Sequence, residues 1–367
     1  MEHNHHCGNM FNDAVHMYEI RNGIDQTGDP TVTAMRSRID DVIDGICDVP
    51  ELKFISFKMT NYCNSDCVYC IHALNRHEEY KAIIPFDVIE RTVKDARTLG
   101  CIAIAINGGE PLLMPDVTKI VKCISDCGIV PVLMTNALLL PQKWKELGDA
   151  GLRYIIISFD SLDKETYEKQ RGANFEMAMA GIEAALKMRE EYGNVEIFIS
   201  ATLTTDNFED IVDLIRFTTE KKIKIQFSPF HNYLHDSDKE FKVNEERVAH
   251  IVDTLIQMKN DGYLIASSVA FIRHFKDYFL LGKRVPDHYH CKMGFANLCI
   301  NSFMDVRVCW SKNFPVLGNI GKESLFDIWN SPTAQEYRRN MYAGKCEGCW
   351  YMCTEITMLI ENTMFED

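Results

Sequence analysis

Three cysteines fall within eight residues, Cys63-Asn-Ser-Asp-Cys67-Val-Tyr-Cys70. Spacings of four and three place them on one face of a helix, where they would form a small apolar stripe. The intervening Asn64, Ser65 and Asp66 favour loops and caps instead. Thiolates so placed converge on one centre, and soft sulfur ligands select zinc or an iron–sulfur cluster. A structural zinc site asks for four ligands, whereas a cubane held by three leaves one iron open to a substrate or cofactor. A second group, Cys291, Cys299, Cys309 and Cys346-Glu-Gly-Cys349-Trp-Tyr-Met-Cys353, lies near the C-terminus. A Cys-x-x-Cys with two distant cysteines is an ordinary layout for a structural metal site, zinc being the plain reading. The chain holds 14 cysteines and no N-terminal pattern of a secretory signal, so they read as ligands in a reducing cytoplasm rather than as disulfides.

These residues need a scaffold, and the periodicity supplies one. The chain has 367 residues, 46% hydrophobic and 25% charged, which excludes a mainly disordered, collagen-like or coiled-coil protein. No window reaches the length of an apolar membrane span. A net charge of −14 disfavours nucleic acid as a partner. Strand patterns at residues 53–59, 101–106, 129–134, 153–159, 196–203 and 222–227 alternate with helical ones at 86–99, 114–127, 141–150, 176–192 and 208–220. Such βα repetition predicts an α/β fold with a parallel sheet, and six units fall short of a closed eight-unit barrel. A partial (β/α)6 TIM-like barrel is expected over residues 51–285, with helical stretches at 245–263 and 271–281. An accessory segment precedes it at 1–50, with His3, His5, His6 and Cys7 at its start and a helix over 33–46. A small cysteine-rich domain completes the chain at 286–367.

Chemistry in such folds sits where the strands end. Asn107-Gly108-Gly109-Glu110-Pro111 closes the second strand, where paired glycines let the backbone approach a ligand closely and Pro111 fixes the exit. Ser158-Phe-Asp160-Ser161 closes the fourth, and Asp160 and Ser161 could equally cap the next helix, which starts near Asp163.

A CxxxCxxC directly after the first strand of a βα-repeat chain resembles the radical S-adenosylmethionine (radical SAM) superfamily, over residues 52 to 230. The resemblance implies that Cys63, Cys67 and Cys70 hold a [4Fe–4S] cluster whose open iron chelates SAM, with Tyr69 near the adenine. It implies SAM contacts from Gly108, Gly109 and Glu110 toward the methionine amino group, and from Ser158 and Arg171 toward the carboxylate or ribose. Asn136, Asp160 and Thr204 fall at strand ends where the family also places SAM-site residues. The C-terminal text, from Cys309-Trp310 through Leu317-Gly-Asn-Ile320 and Leu325-Phe-Asp-Ile-Trp329 to the last cysteines, resembles a SPASM/Twitch extension. That implies one auxiliary [4Fe–4S] cluster on Cys291, Cys309, Cys346 and Cys349, with Cys353 as an alternative. Cys299 reads as strand packing. Met304 stands where the family usually has a glycine.

The function expected is likewise the one the resemblance implies. Reductive cleavage of SAM gives a 5′-deoxyadenosyl radical that abstracts a hydrogen atom from a small polar metabolite, such as a sugar, or from a peptide. An auxiliary cluster accepting the second electron makes the net change an oxidation. A redox-neutral epimerase, a peptide-modifying maturase and a metal-binding scaffold without turnover are the alternatives. A low-potential donor such as flavodoxin or ferredoxin is the expected electron partner. The segment from Phe230 to Asp236 is the candidate substrate-facing loop.

Overall fold

The computed structural model describes residues 50–70, 82–230, 244–281, 291–310 and 315–345. The expected accessory segment, most of the 230–236 loop, and Cys346, Cys349 and Cys353 lie outside them.

The sheet is built from β1 (Phe54–Thr60), β2 (Ala103–Gly108), β3 (Val130–Thr135), β4 (Tyr154–Ser158), β5 (Glu196–Leu203) and β6 (Lys224–Pro229). All five adjacent pairs are parallel and keep to chain order. Period-two alternation sorts their side chains. Ile55, Phe57 and Met59 of β1, with Ile104, Ile106, Ile155, Ile157, Ile197 and Ile199, are buried in the core shared with the helices. Val130, Val132, Tyr154, Ile156 and Phe198 face the other way and form a separate apolar floor on the inner side. The outer layer comprises α1 (Phe86–Thr98), α2 (Val117–Asp126), α3 (Leu140–Asp149), α4 (Lys164–Arg171), α5 (Phe175–Tyr192) and α6 (Ile211–Glu220). The chain folds as a partial (β/α)6 barrel.

Local chemistry moves several boundaries. The second helix starts at Val117 because Pro111–Leu113 first forms a 3-10 turn. Neither Asp160 nor Ser161 caps α4: Asp163 does, its carboxylate accepting from the Thr166 N–H, which leaves Asp160 for the interior. After α7 (Glu245–Asn260), the expected helix over 271–281 is two, α8 (Val269–Arg273) and α9 (Phe275–Leu281), separated at His274.

The C-terminal part continues the same sheet. β7 (Asn297–Ile300) pairs parallel with β1, Phe54 opposite Asn297 and Phe57 opposite Ile300. β8 (Asp305–Arg307) and β9 (Gly318–Asn319) then add antiparallel. Among the described residues the sheet has nine strands. Met304, in the β7–β8 turn, has φ of 69°, the left-handed conformation that suits glycine, so methionine here carries about 1 kcal/mol of backbone strain. α10 (Leu325–Asn330) docks on α1 through the Leu325 N–H, which donates to Asp95 Oδ2 at 2.9 Å. Buried Trp329 donates to the Pro50 carbonyl at 2.8 Å, and the Arg338 guanidinium of α11 (Pro332–Tyr342) lies 3.9 Å above its ring.

Candidate active site

The cysteine loop leaves the end of β1 and is clamped on three sides. The Gly109 N–H donates to the Thr60 carbonyl at 2.8 Å and the Glu110 N–H to the Tyr62 carbonyl at 2.6 Å. On the far side the Asp66 N–H donates to the Arg171 carbonyl at 3.0 Å and the Val68 N–H to the Gln170 carbonyl at 2.9 Å. The loop thus uses the last carbonyls of α4, which a helix leaves without internal partners. From β3, Asn136 Nδ2 donates to Asn64 Oδ1 and to Ser65 Oγ, both at 2.7 Å. Gly172 makes this docking fit: its φ is 53°, and a Cβ there would sit 2.6 Å from Asp66 Cβ. Cys63, Cys67 and Cys70 are all partly exposed, and each of the other two acts electrostatically on Cys67. Burial pushes the Cys67 thiol up to about 12 while nearby Arg171 pulls it down. Among the described residues no three cysteine, histidine or carboxylate side chains converge tightly enough for one metal ion. A cluster in which each thiolate binds a different iron does not require that convergence.

The paired glycines serve the same clamp. Gly108 has φ of 147°, and a Cβ on it would lie 2.4 Å from the Thr60 carbonyl oxygen. At Gly109 a Cβ would lie 2.1 Å from the Tyr62 carbonyl oxygen. Their close approach is to the cysteine loop itself. Glu110 is fully buried and braces the ends of β2 and β3, accepting from the Leu112 N–H at 2.9 Å, Thr135 Oγ1 at 2.7 Å and the Asn136 N–H at 2.8 Å. Burial pushes its carboxyl up to about 7, against the hydrogen bonds, which pull it down. With the folded pKa raised, the native state holds the proton longer than the unfolded chain does. This contribution to stability is complete below about 4.5 and is lost as pH rises through about 7. Urea unfolding at steps between pH 5 and 8 should show wild type losing about 3 kcal/mol that Glu110→Gln does not lose.

A second network joins the loop to β4 and β5. Asp160, fully buried, accepts from Arg171 Nη2 at 2.6 Å, from the Thr202 N–H at 2.8 Å and from the Tyr69 hydroxyl. Asn207 Nδ2 donates to the Asp160 and Thr202 carbonyls, and Gln170 Nε2 donates to Thr204 Oγ1 at 2.6 Å. Desolvation raises the Tyr69 hydroxyl well above its usual pKa, and its ring meets Phe230 edge-on at 6.5 Å. Arg171 Nε is buried without a hydrogen-bond partner, an orphan that fits a ligand at this end of the sheet. Ser158, partly buried, ends β4 opposite Ser200. The fold therefore brings together Cys63, Cys67, Tyr69, Cys70, Gly108, Gly109, Glu110, Asn136, Asp160, Arg171 and Thr204 at one end of the strands.

Sequence reasoning misses a polar group on the inner face below this loop. Ser56 Oγ accepts from Asn107 Nδ2 at 2.8 Å and from Trp310 Nε1 at 3.0 Å. Lys58 Nζ lies 4.1 Å from the centroid of the same Trp310 ring. The signal that could have found it is Ser56, Lys58 and Thr60 at alternate positions of an otherwise apolar strand. In the C-terminal part, Cys291 and Cys309 pack against one apolar cluster with Met293, Phe295, Val308 and Met341. Cys299 is buried in β7 as strand packing.

Comparison with known proteins places this geometry. The radical SAM superfamily matches residues 57–218, and SPASM, an iron–sulfur cluster-binding domain, matches residues 291–350. A probable GTP 3′,8-cyclase of Methanococcus maripaludis is 31% identical over 211 residues, covering 57% of this chain and 70% of that protein. The GTP 3′,8-cyclase of Clostridium perfringens is 28% identical over 184 residues, 48% of this chain and 55% of the relative. Among solved structures, Streptococcus suis SuiB bound to the precursor peptide SuiA superposes with a TM-score of 0.63 at 18% identity, covering 86% of this chain and 73% of SuiB. Native anSMEcpe with bound AdoMet superposes with a TM-score of 0.60 at 18% identity, covering 85% of this chain and 96% of the other. With the cysteine loop at the end of β1 and a SPASM match beyond β6, the chain belongs to the radical SAM superfamily, whose cofactors are SAM and [4Fe–4S] iron–sulfur clusters.

Proposed function

We propose that this protein reductively cleaves SAM at a cluster held by Cys63, Cys67 and Cys70 and abstracts a hydrogen atom from a small polar metabolite or a peptide. One observation carries the reading: the three-cysteine loop is clamped between the Gly108–Gly109 turn and the end of α4, where the orphaned Arg171 Nε lies. Three partly exposed thiols and no fourth cysteine in the loop fit a cluster with one open iron. When bound, the cluster and SAM supply a 5′-deoxyadenosyl radical, the species that attacks an unactivated C–H bond.

The chain's own groups bind and orient. Arg171, held by Asp160, offers its Nε–H to the SAM carboxylate or ribose, and Ser158 stands at the next strand end. Tyr69 and Thr204 bound the adenine side, with Tyr69 fixed by its bond to Asp160 and its contact with Phe230. The backbone of Gly108 and Gly109 borders the amino-group side. Glu110 and Asn136 set the shape of that wall, since Glu110 spends its oxygens on Leu112, Thr135 and Asn136. Cys291 and Cys309, with Cys346 and Cys349 or Cys353, would hold an auxiliary cluster that accepts the second electron of a net oxidation. Flavodoxin or ferredoxin is the proposed donor. The relatives' names make GTP and short peptides the first substrates to try.

The test is anaerobic reconstitution of wild type and the Cys63/Cys67/Cys70→Ala variant. Wild type should bind about eight irons per chain and release 5′-deoxyadenosine from SAM under dithionite; the variant should keep about four and release none. Equal iron and equal release in both proteins would end the proposal.

A further inference from the structure

The proposed SAM contacts leave the inner-face group centred on Lys58 without an assigned role. Lys58 projects from β1 two residues before its end, in direct register with Asn107 of β2. Its ammonium lies over the Trp310 ring, which Ser56 fixes in place through the indole N–H, and Asn107 grips the same serine. Trp310 is next to Cys309 in the chain, while Ser56 pairs with Cys299 of β7. The side chain therefore reaches from β1 to Trp310, which follows β8 in the chain. Burial lowers the Lys58 pKa, and the charges of Cys70 and Cys299 act on it in the opposite direction, so these thiols lie within its field. Lys58 is half-buried, so its ammonium keeps part of its hydration while the Trp310 ring holds it in place.

We propose that Lys58, held over Trp310, is a positioning residue whose positive charge eases electron uptake by the cluster on Cys63, Cys67 and Cys70. The inference rests on the assignment of a cluster to those three cysteines. A thiolate-ligated cluster gains negative charge on reduction, and a cation held nearby in a low-dielectric site stabilises that extra electron. Trp310 matters because its ring face keeps the ammonium from swinging to solvent. The indole N–H, bonded to Ser56 of β1, holds that ring in place.

The experiment is an anaerobic redox titration of the reconstituted full-length protein, monitored by electron paramagnetic resonance. Wild type, Lys58→Met and Lys58→Arg are compared, and the signal of the Cys63/Cys67/Cys70→Ala variant is subtracted to isolate the first cluster. Lys58→Met should shift its reduction equilibrium at least tenfold toward the oxidised form, about 59 mV for one electron. Lys58→Arg keeps the charge and should restore most of it, at unchanged iron content. A first-cluster potential equal in wild type and Lys58→Met, with iron fully bound, overturns the inference while leaving the cluster assignment intact. Absence of a first-cluster signal in wild type instead removes both. Were Lys58→Met to bind no iron, Lys58→Gln and Lys58→Arg decide: iron bound by Arg but not Gln supports the charge, and iron bound by neither overturns it.

Discussion

Gly109→Ala should destabilise the protein by about 3 kcal/mol or more, the upper range for forcing atoms into a packed site. The added Cβ would lie 2.1 Å from the Tyr62 carbonyl oxygen and 2.5 Å from its carbon, so backbone must give way on one side or the other. The backbone that would move carries the bond from Glu110 to Tyr62, which fixes the entry to the cysteine loop. Loss of shape there should also lower iron uptake on reconstitution. Gly193→Ala is the control: its φ of 73° imposes the left-handed strain, but nothing lies within 4 Å of the new Cβ. It should cost only about 1 kcal/mol and leave iron uptake unchanged. Urea midpoints and iron content of the two variants, measured together, separate crowding from backbone strain. Similar losses in both would show that the close approach at Gly109 is not what constrains it.

The second large effect is expected at Asp160. Asp160→Ala removes the carboxylate facing the buried Arg171 guanidinium, leaving a charge without its counterion in a desolvated site. Breaking such a pair from one side costs about 3–5 kcal/mol. Adding Arg171→Met to Asp160→Ala should recover most of that stability, because the penalty belongs to the stranded charge and not to the pair. SAM binding, by contrast, should not return in the double variant, since Arg171 is also proposed to contact the ligand. Recovery of both would place Arg171 outside the SAM site. No recovery of stability would mean that Asp160 acts chiefly through the Thr202 N–H and the Tyr69 hydroxyl.

Much of this arrangement is legible in the residues alone. The six strand patterns lie within two residues of the observed bounds, because buried parallel strands are runs of β-branched residues bounded by turn signals. The cysteine loop is legible because three thiols in eight residues have few other uses. The reasons behind the glycines are not: sequence says only that residue 108 or 109 needs room, not what occupies it. Glu110 illustrates the same limit. A glutamate after a glycine pair reads as a ligand contact, and only the fold shows its oxygens taken by Thr135 and Asn136, twenty-five residues and more away. Lys58 escapes notice because a single charge in an apolar strand resembles an edge residue until its neighbours are known. Met304 stands out as a departure, and its positive φ supplies the reason glycine suits that position.

The pairing of β1 with β7 bears on how the chain can be made. Residue 54 finds its partner at residue 297, so during synthesis one side of β1 stays open until residue 297 has emerged from the ribosome. At about 5–20 residues per second that interval is on the order of tens of seconds. For that time the nascent barrel presents an unsatisfied strand edge, the surface most prone to pair with another chain. Expression yield should therefore depend on chaperone supply and translation speed more than the modest loop lengths of the barrel would imply. For the same reason, a fragment ending before β7 is a poor substitute for the enzyme.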